Sequence, residues 1–292
     1  MSNTAANLRR KIATAGDLES VVRTMKAMAA SSIGQYENAV RALEDYDGTV
    51  QLGLLACFRQ NPAATPVHAA RPNDGAVGAV VFGSDQGLVG QFNDQLGDFV
   101  VDRLAQLPGR KLLWAVGERM QSRLADKHLA LGSSFSLPNS ISAITTLVTQ
   151  VLLEIETRRE GGEIGPIYLF HNRPKSGAIY EPVSQRLLPL DEAWRSEISS
   201  RRWPTKNLPE VMQGCAQTLF TFVREYLFVS LFRACAESLA SENASRLAAM
   251  QRAEKNIKEL LDNLGSDFHR LRQSAIDEEL FDVVSGFEAY GR

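Results

Sequence analysis

Apolar residues recur at near-heptad spacing at both ends of the chain, over residues 8–43 and again over residues 222–287. In the first stripe the steps of three or four residues average about 3.5, which is the period of a left-handed coiled coil, and the second stripe is interrupted by a loose patch after Leu239. Globular helices usually run for roughly 8–20 residues, so stripes of this length predict two long helices. The first stripe consists of Leu8, Ile12, Ala15, Leu18, Val22, Met25, Ala29, Ile33, Tyr36, Val40 and Leu43, and the second contains Phe222, Tyr226, Val229, Phe232, Ala236, Leu239, Leu247, Met250, Ile257, Leu260, Leu264, Phe268 and Leu271.

The pattern changes between the two stripes, where short apolar runs alternate with amphipathic segments. This alternation predicts a small, mainly parallel sheet with one antiparallel edge, covered by helices. We expect strands at 76–82, 111–116, 167–172 and 178–188, and helices at 93–107, 118–127 and 141–158. The predicted division of the chain is an amino-terminal helix over 1–60, a central α/β domain over 75–190 and a carboxyl-terminal helix over 207–287.

Composition excludes several classes of function. The net charge of −2 gives no support to nucleic-acid binding, which normally needs a basic face. The most apolar run, residues 226–232, is far shorter than the roughly 20 residues that a membrane helix needs. The first residues also lack the apolar segment of a signal peptide. We therefore expect any membrane association to pass through partners.

No catalytic or metal-binding pattern stands out in the sequence. The three cysteines, Cys57, Cys215 and Cys235, are widely spaced and form no CxxC motif, so neither a disulfide framework nor a zinc site is indicated. The four histidines are scattered, without an HExxH motif. We predict a protein that is not an enzyme and that has no cofactor and no metal.

A glycine-bearing segment, residues 84–90, follows a predicted strand and precedes a predicted helix. Backbone amides can cradle phosphate in that setting. A P-loop, however, requires GxxxxGK[ST], and here Gln91 follows Gly90 where lysine would stand. The pattern favours a structural turn, with phosphate binding as the weaker alternative.

The end of the second stripe carries polar groups that suit a partner. Arg272 and Gln273 have few acidic neighbours before them, and a guanidinium fork suits carboxylates or backbone groups of another protein. Ordinary solvated side chains are the alternative. The adjacent acids Asp277, Glu278 and Glu279 do not share one helix face, so we expect a solvated or partner-facing cluster rather than an acid/base pair.

Several motifs resemble, in order along the chain, those of the γ subunit of F-type ATP synthases, the central rotor shaft. They lie at 8–12 (LRRKI), 24–31 (TMKAMAAS), 84–93 (SDQGLVGQFN), 241–250 (SENASRLAAM) and 272–280 (RQSAIDEEL). The resemblance implies that the two terminal helices pair as an antiparallel coiled coil. The expected fold class is therefore α/β: a long antiparallel coiled coil plus a small central Rossmann-like α/β domain.

The resemblance also implies partners and a location. The coiled coil would stand inside a ring of α and β subunits, and the α/β domain would meet the ε subunit and the membrane ring of c subunits. Such a rotor lies at the cytoplasmic face of a bacterial inner membrane, as a peripheral protein. It couples ion flow to changes at the nucleotide sites of the β subunits and performs no chemistry itself.

By the same resemblance, seven residues are expected to contact partners. Arg272 and Gln273 would engage β-subunit catch loops, and Ile276 and Leu280 would turn against the ring through non-directional apolar contact. The three expected to face a β subunit lower down are Arg23, Met25 and Lys26.

Some positions depart from the family pattern and suggest a divergent branch. Ser32 replaces a frequent lysine, Val89 replaces a common cysteine, and Asp277 replaces a common threonine. Two other interpretations remain open at this point. One is an α/β enzyme with a coiled-coil extension, and the other is a coiled-coil scaffold unrelated to ATPases.

Overall fold

The computed structural model describes residues 2–61, 75–176, 178–207, 209–211 and 215–290. The α/β class is confirmed: two long terminal helices enclose, along the chain, a small mixed sheet with shorter helices. In chain order the elements are α1 (Ser2–Gln60), β1 (Ala76–Phe82), α2 (Phe92–Ala105), β2 (Lys111–Val116), α3 (Glu118–Asp126), α4 (Ile141–Glu160), β3 (Ile164–Lys175), β4 (Ala178–Leu188), α5 (Glu192–Ser200) and α6 (Cys215–Tyr290).

These elements form two compact units. In unit 1, α1 up to Ala29 packs with α6 from Arg246 onward. Unit 2 comprises Ala30–Ser245, which includes the sheet, the rest of α1 and the first part of α6.

Unit 1 is an antiparallel helix pair. The guanidinium of Arg9 lies 5.5 Å from the ring centroid of Phe268, and Lys26 Nζ lies 2.5 Å from Glu254 Oε2. Residue numbers thus increase along α1 while those of their partners on α6 decrease, as an antiparallel pair of helices requires. The seam has small buried residues on α1, Ala15 among them, so the two backbones can approach closely.

Two leucines of the predicted stripes lie outside this seam. Leu18 is 52% exposed, and Glu19 turns inward beside it instead. Leu260 is 48% exposed, while its neighbour Leu261 is half-buried. The predicted seam positions were wrong there because a pair of helices covers only part of each helix, and a spacing of about 3.5 residues cannot distinguish a seam position from its flank.

Unit 2 is built on a four-stranded sheet in the order β2-β1-β3-β4. β1 pairs in parallel with β2 and β3, and β3 pairs antiparallel with β4, as predicted. Every residue of β1 is buried, which explains why its sequence is a continuous apolar run rather than an alternating one. The outer edge of β2 is bridged at Leu131 and Phe135, so the chain itself covers that edge.

Within unit 2 the two long helices join the main core. Leu54 of α1 and Leu231 of α6 are fully buried in one cluster with β1 and α4 residues. A half-buried ion pair crosses between the helices, since Arg233 Nη2 lies 3.0 Å from Asp47 Oδ2. The helices are therefore fastened to the sheet and to each other by both apolar and charged contacts.

Two details of the chain between the sheet and α6 differ from expectation. α6 begins at Cys215 rather than near residue 207, where Pro209 disfavours helical backbone at the residue before it. The short helix α5 was not predicted. It is capped by the Asp191 side chain, and Ile198 is its one buried residue, so it leaves no apolar stripe in the sequence.

Candidate functional site

The expected contact residues near the end of α6 share one face of that helix. At 100° per residue, Arg272, Gln273, Ile276 and Leu280 fall within an arc of about 100°. All four side chains are exposed. Exposed large apolar residues continue past them, so the last described turns of α6 form a face that we call the tip face. Its apolar members are Ile276, Leu280, Phe281, Val283 and Val284, which are 48–69% exposed.

A charged groove of about 580 Å³ lies beside the tip face in unit 1. Its walls come from the first turns of α1 and from α6, and Arg272 stands at its border with the tip face. The carboxylates of Glu278, Glu279 and Asp282 line it together with Arg9. Among the residues that the structure describes, Arg272 forms no ion pair, so its guanidinium is available to a carboxylate of another protein.

The three expected contact residues of α1 are not brought together. Arg23 and Met25 point about 160° apart around the helix. Arg23 pairs with Glu19 of the same helix at 2.8 Å, and Lys26 is held by Glu254 of α6. Met25 is half-buried at the edge of the seam.

Sequence reasoning missed a second exposed apolar stripe on α1. Leu18, Val21 and Met28 are 52%, 55% and 66% exposed. Met25 adjoins them, and the four positions follow one another at steps of three, four and three residues. The spacing was visible in the sequence, but Leu18 had been assigned to the seam. We call these four residues the α1 stripe.

The glycine loop, residues 83–90, uses its polar groups to hold its own shape. Ser84 N donates to Asn93 Oδ1 at 3.1 Å, and Asn93 Nδ2 donates in return to Ser84 Oγ at 2.8 Å. The Asp85 carboxylate accepts from the backbone N–H groups of Glu118 and Leu137. Groups engaged in this way are not presented to a phosphate, which favours the structural turn.

One residue of this loop is held in an unusual conformation. Leu88 has a positive φ of 63° and is 61% exposed. The left-handed region is unfavourable for a residue with a branched side chain and is maintained only when the surroundings impose it. Val89, the next residue, is buried and bound to α6 through its carbonyl oxygen.

Helix α6 lies against the carboxyl ends of the central strands. Ser238 Oγ donates to the carbonyl oxygen of Phe82, the last residue of β1, at 3.1 Å. Near the end of β3, His171 Nε2 lies 2.8 Å from Glu237 Oε2. Open α/β sheets bind small ligands in the crevice beyond these strand ends. Here α6 fills that position, which argues against the interpretation as an α/β enzyme.

The described residues contain no group of three or more His, Cys, Asp or Glu side chains placed to hold a metal ion. Over the same part of the chain, no helix has the length and apolarity needed to cross a bilayer. Cys57 and Cys235 both lie in the main core of unit 2. Burial raises the pKa of the Cys235 thiol well above its ordinary value, so this cysteine behaves as a core residue rather than a nucleophile.

Comparison with known proteins gives one consistent family. A family model described as ATP synthase matches residues 4–290. The ATP synthase gamma chain of Polynucleobacter necessarius subsp. necessarius (strain STIR1) is 25% identical over 287 residues, covering 97% of this chain and 98% of that one. The ATP synthase gamma chain of Syntrophus aciditrophicus (strain SB) is 27% identical, covering 98% of both chains.

Solved structures share the fold at lower identity. A chain of the rotor of the Euglena gracilis mitochondrial ATP synthase matches 94% of this chain and 100% of its own length, with a TM-score of 0.61 and 15% identity. A chain from the OSCP/F1/c-ring structure of the same enzyme matches 99% of this chain and 95% of its own length, with a TM-score of 0.65 and 13% identity.

Proposed function

Because the chain belongs to the ATP synthase γ family, we propose that it turns inside the catalytic ring and couples ion flow through the membrane ring to nucleotide-site changes in the β subunits. It is a central-stalk subunit of an F-type ATP synthase and is not itself catalytic. It works as part of a complex that contains the F1 portion and the c-ring, and it is attached to the membrane through that complex.

The tip face is the observation that carries this proposal. Five large apolar side chains stand about half or more exposed on one stretch of α6. Exposed apolar patches on soluble proteins commonly mark an interface. Apolar contact is non-directional, so a face of this kind can be enclosed by a ring of subunits and still rotate. Directional polar contacts would have to be few, and Arg272 and Gln273 supply them at one end of the face.

The arrangement supports specific partner contacts. Arg272 and Gln273 are suited to β-subunit catch loops, because both side chains are exposed and the Arg272 guanidinium forms no ion pair with the described residues. The α1 stripe, with Met25 at its edge, is suited to a β subunit lower in the ring. The Lys26 ammonium already forms an ion pair with Glu254, so a β-subunit group that binds Lys26 would have to join that ion pair or displace Glu254 from it.

The α and β subunits, the ε subunit and the c-ring are thus the proposed partners, with no nucleic acid. The proposed location is the cytoplasmic face of a bacterial inner membrane, and the bacterial origin of the two gamma chains described above supports it. Coupling between shaft and ring is reciprocal, since a shaft that changes nucleotide affinity is itself turned by nucleotide hydrolysis.

Two substitutions on the tip face test the proposal in the assembled complex. Arg272→Ala and Gln273→Ala are each expected to lower ATP turnover, while the chain still co-purifies with α and β subunits. Arg270→Ala is the matched control, because Arg270 pairs with Asp267 on its own helix. Its expected turnover is that of the wild type. Normal turnover in both tip variants, or failure of the wild-type chain to assemble with a catalytic ring, would reject the proposal.

A further inference from the structure

Within the described part of unit 2, polar contacts join α6 to the sheet and to the glycine loop that follows β1. Ser238 Oγ donates to Phe82 O at 3.1 Å, and Ser245 Oγ donates to Val89 O at 2.6 Å. The third contact joins Glu237 to His171 of β3 at 2.8 Å. We call these three contacts the α6 clamp.

We propose that Ser238 and Ser245 are positioning residues, which lock the rotational angle of α6 against the α/β sheet so that torque passes between them. The inference rests on the proposed rotor function. Each hydroxyl donates its single hydrogen outside its own helix, whereas buried helical serines often donate to a carbonyl of the preceding turn. Both instead reach backbone carbonyls outside α6, and both side chains are almost completely buried.

The geometry of the helix makes this arrangement sensitive to rotation. Ser238 and Ser245 are seven residues apart, so they lie on nearly the same line of the helix and about 10 Å apart along it. Glu237 lies about 100° round from them. Two contacts along one line prevent tilting, and a third on another side prevents rolling.

The rotation of α6 that the α6 clamp can tolerate follows from the distance between the serine hydroxyls and the helix axis. Side-chain ends of a helix lie about 5–6 Å from its axis, so a rotation of about 20° moves a hydroxyl by about 2 Å. Hydrogen bonds weaken steeply outside their narrow distance range. A slip of that size therefore breaks both serine contacts. The apolar contacts of α6 in the same close-packed core also oppose such a slip, and the two serine contacts add a narrow directional optimum to that resistance.

The test uses the assembled ATPase with its catalytic ring fixed to a surface. A bead is attached to exposed Ser184 on β4 through Ser184→Cys, with the three native cysteines replaced by alanine. The measured quantity is the angular variance of the bead while the enzyme waits for ATP. The double variant S238A/S245A is expected to widen this variance by roughly twofold, because both serine contacts to backbone carbonyls are lost. ATP turnover without load should stay at the wild-type level.

Controls separate a lock from simple stabilisation. Ser266→Ala removes an exposed hydroxyl of α6 and should leave the variance unchanged. S238T/S245T keeps both hydroxyls and should keep the variance close to that of the wild type. If the double alanine variant does not assemble, the single variants S238A and S245A are measured instead. A variance equal to the wild type in the alanine variants overturns the proposal, even if they melt at a lower temperature.

Failure of the rotor function itself gives a different result. In that case the bead on the wild-type complex does not rotate during ATP hydrolysis. The clamp is then judged by amide hydrogen exchange over residues 83–93 in the full chain. Faster exchange in S238A/S245A supports the contacts, and unchanged exchange overturns them.

Discussion

Gly53 of α1 gives the sharpest test of how the long helices pack in unit 2. A Cβ added at Gly53 would lie 2.3 Å from ring atoms Cε1 and Cζ of Phe222 on α6. A Cβ added at Gly48, five residues earlier on the same helix, meets nothing within 4 Å. The same substitution at these two positions therefore separates helix propensity from packing.

The expected magnitudes follow from these surroundings. Alanine in a helix interior is favoured over glycine by about 1 kcal/mol, and Gly48→Ala should keep that gain. Overpacking in a core costs about 1–3 kcal/mol, which at Gly53 opposes the same gain. Gly53→Ala should therefore be less stable than Gly48→Ala by about 1–3 kcal/mol, with a net effect between neutral and about 2 kcal/mol destabilising.

Urea unfolding of the full chain, followed by circular dichroism, measures the difference between the two variants. The midpoint should rise for Gly48→Ala and should not rise for Gly53→Ala. Adding Phe222→Leu to Gly53→Ala should recover part of the loss in a double-mutant cycle, because the shorter side chain vacates the position of the ring. Equal rises in midpoint for the two glycine variants would refute the close packing of Gly53 against Phe222.

Three further substitutions probe charge and coupling. Met25→Lys places a charge at the edge of the α1 stripe and should lower the number of ions pumped per ATP, whereas an unchanged ratio in vesicles would contradict that contact. The Lys26 ammonium holds the pKa of Glu254 below its ordinary 4.5, so the pair stabilises the fold above that pH and the effect is lost as the pH falls. In Glu254→Gln the free energy of unfolding should therefore fall less steeply as the pH is lowered below 4.5. An unchanged pH dependence would argue against the pair. Asp47→Ala leaves Arg233 without its buried partner and should cost about 1–3 kcal/mol of unfolding free energy, which chemical denaturation would detect.

Much of the fold could be predicted from local patterns. The strands predicted at 76–82, 111–116 and 178–188 have the bounds of β1, β2 and β4, because a buried strand needs an unbroken apolar or β-rich run and turn residues limit it. The long helices could also be predicted from a local pattern. An apolar stripe with a helical period persists through each of them, and it survives the glycines of α1.

The candidate site was less accessible from local patterns. The tip residues Arg272 and Gln273 came from the resemblance of a motif, and the structure adds that they share a face with Ile276 and Leu280. Nothing local separates Ser238 and Ser245 from other serines of α6. Their importance lies in the carbonyl groups that they reach, at positions 156 residues away along the chain.

The sequence by itself determined the two long helices and the strands and helices of the sheet region, but not α5, since that choice depends on periodicity and on the conformational limits of each residue within a few positions. Only the tertiary structure decided which face of each helix is covered. Leu18 and Leu260 fit the apolar period but lie outside the seam, while Glu19 and Leu261 lie within it. The physical reason is that burial depends on where a distant segment packs, and a helix offers neighbouring faces of similar apolarity from which that segment covers only one.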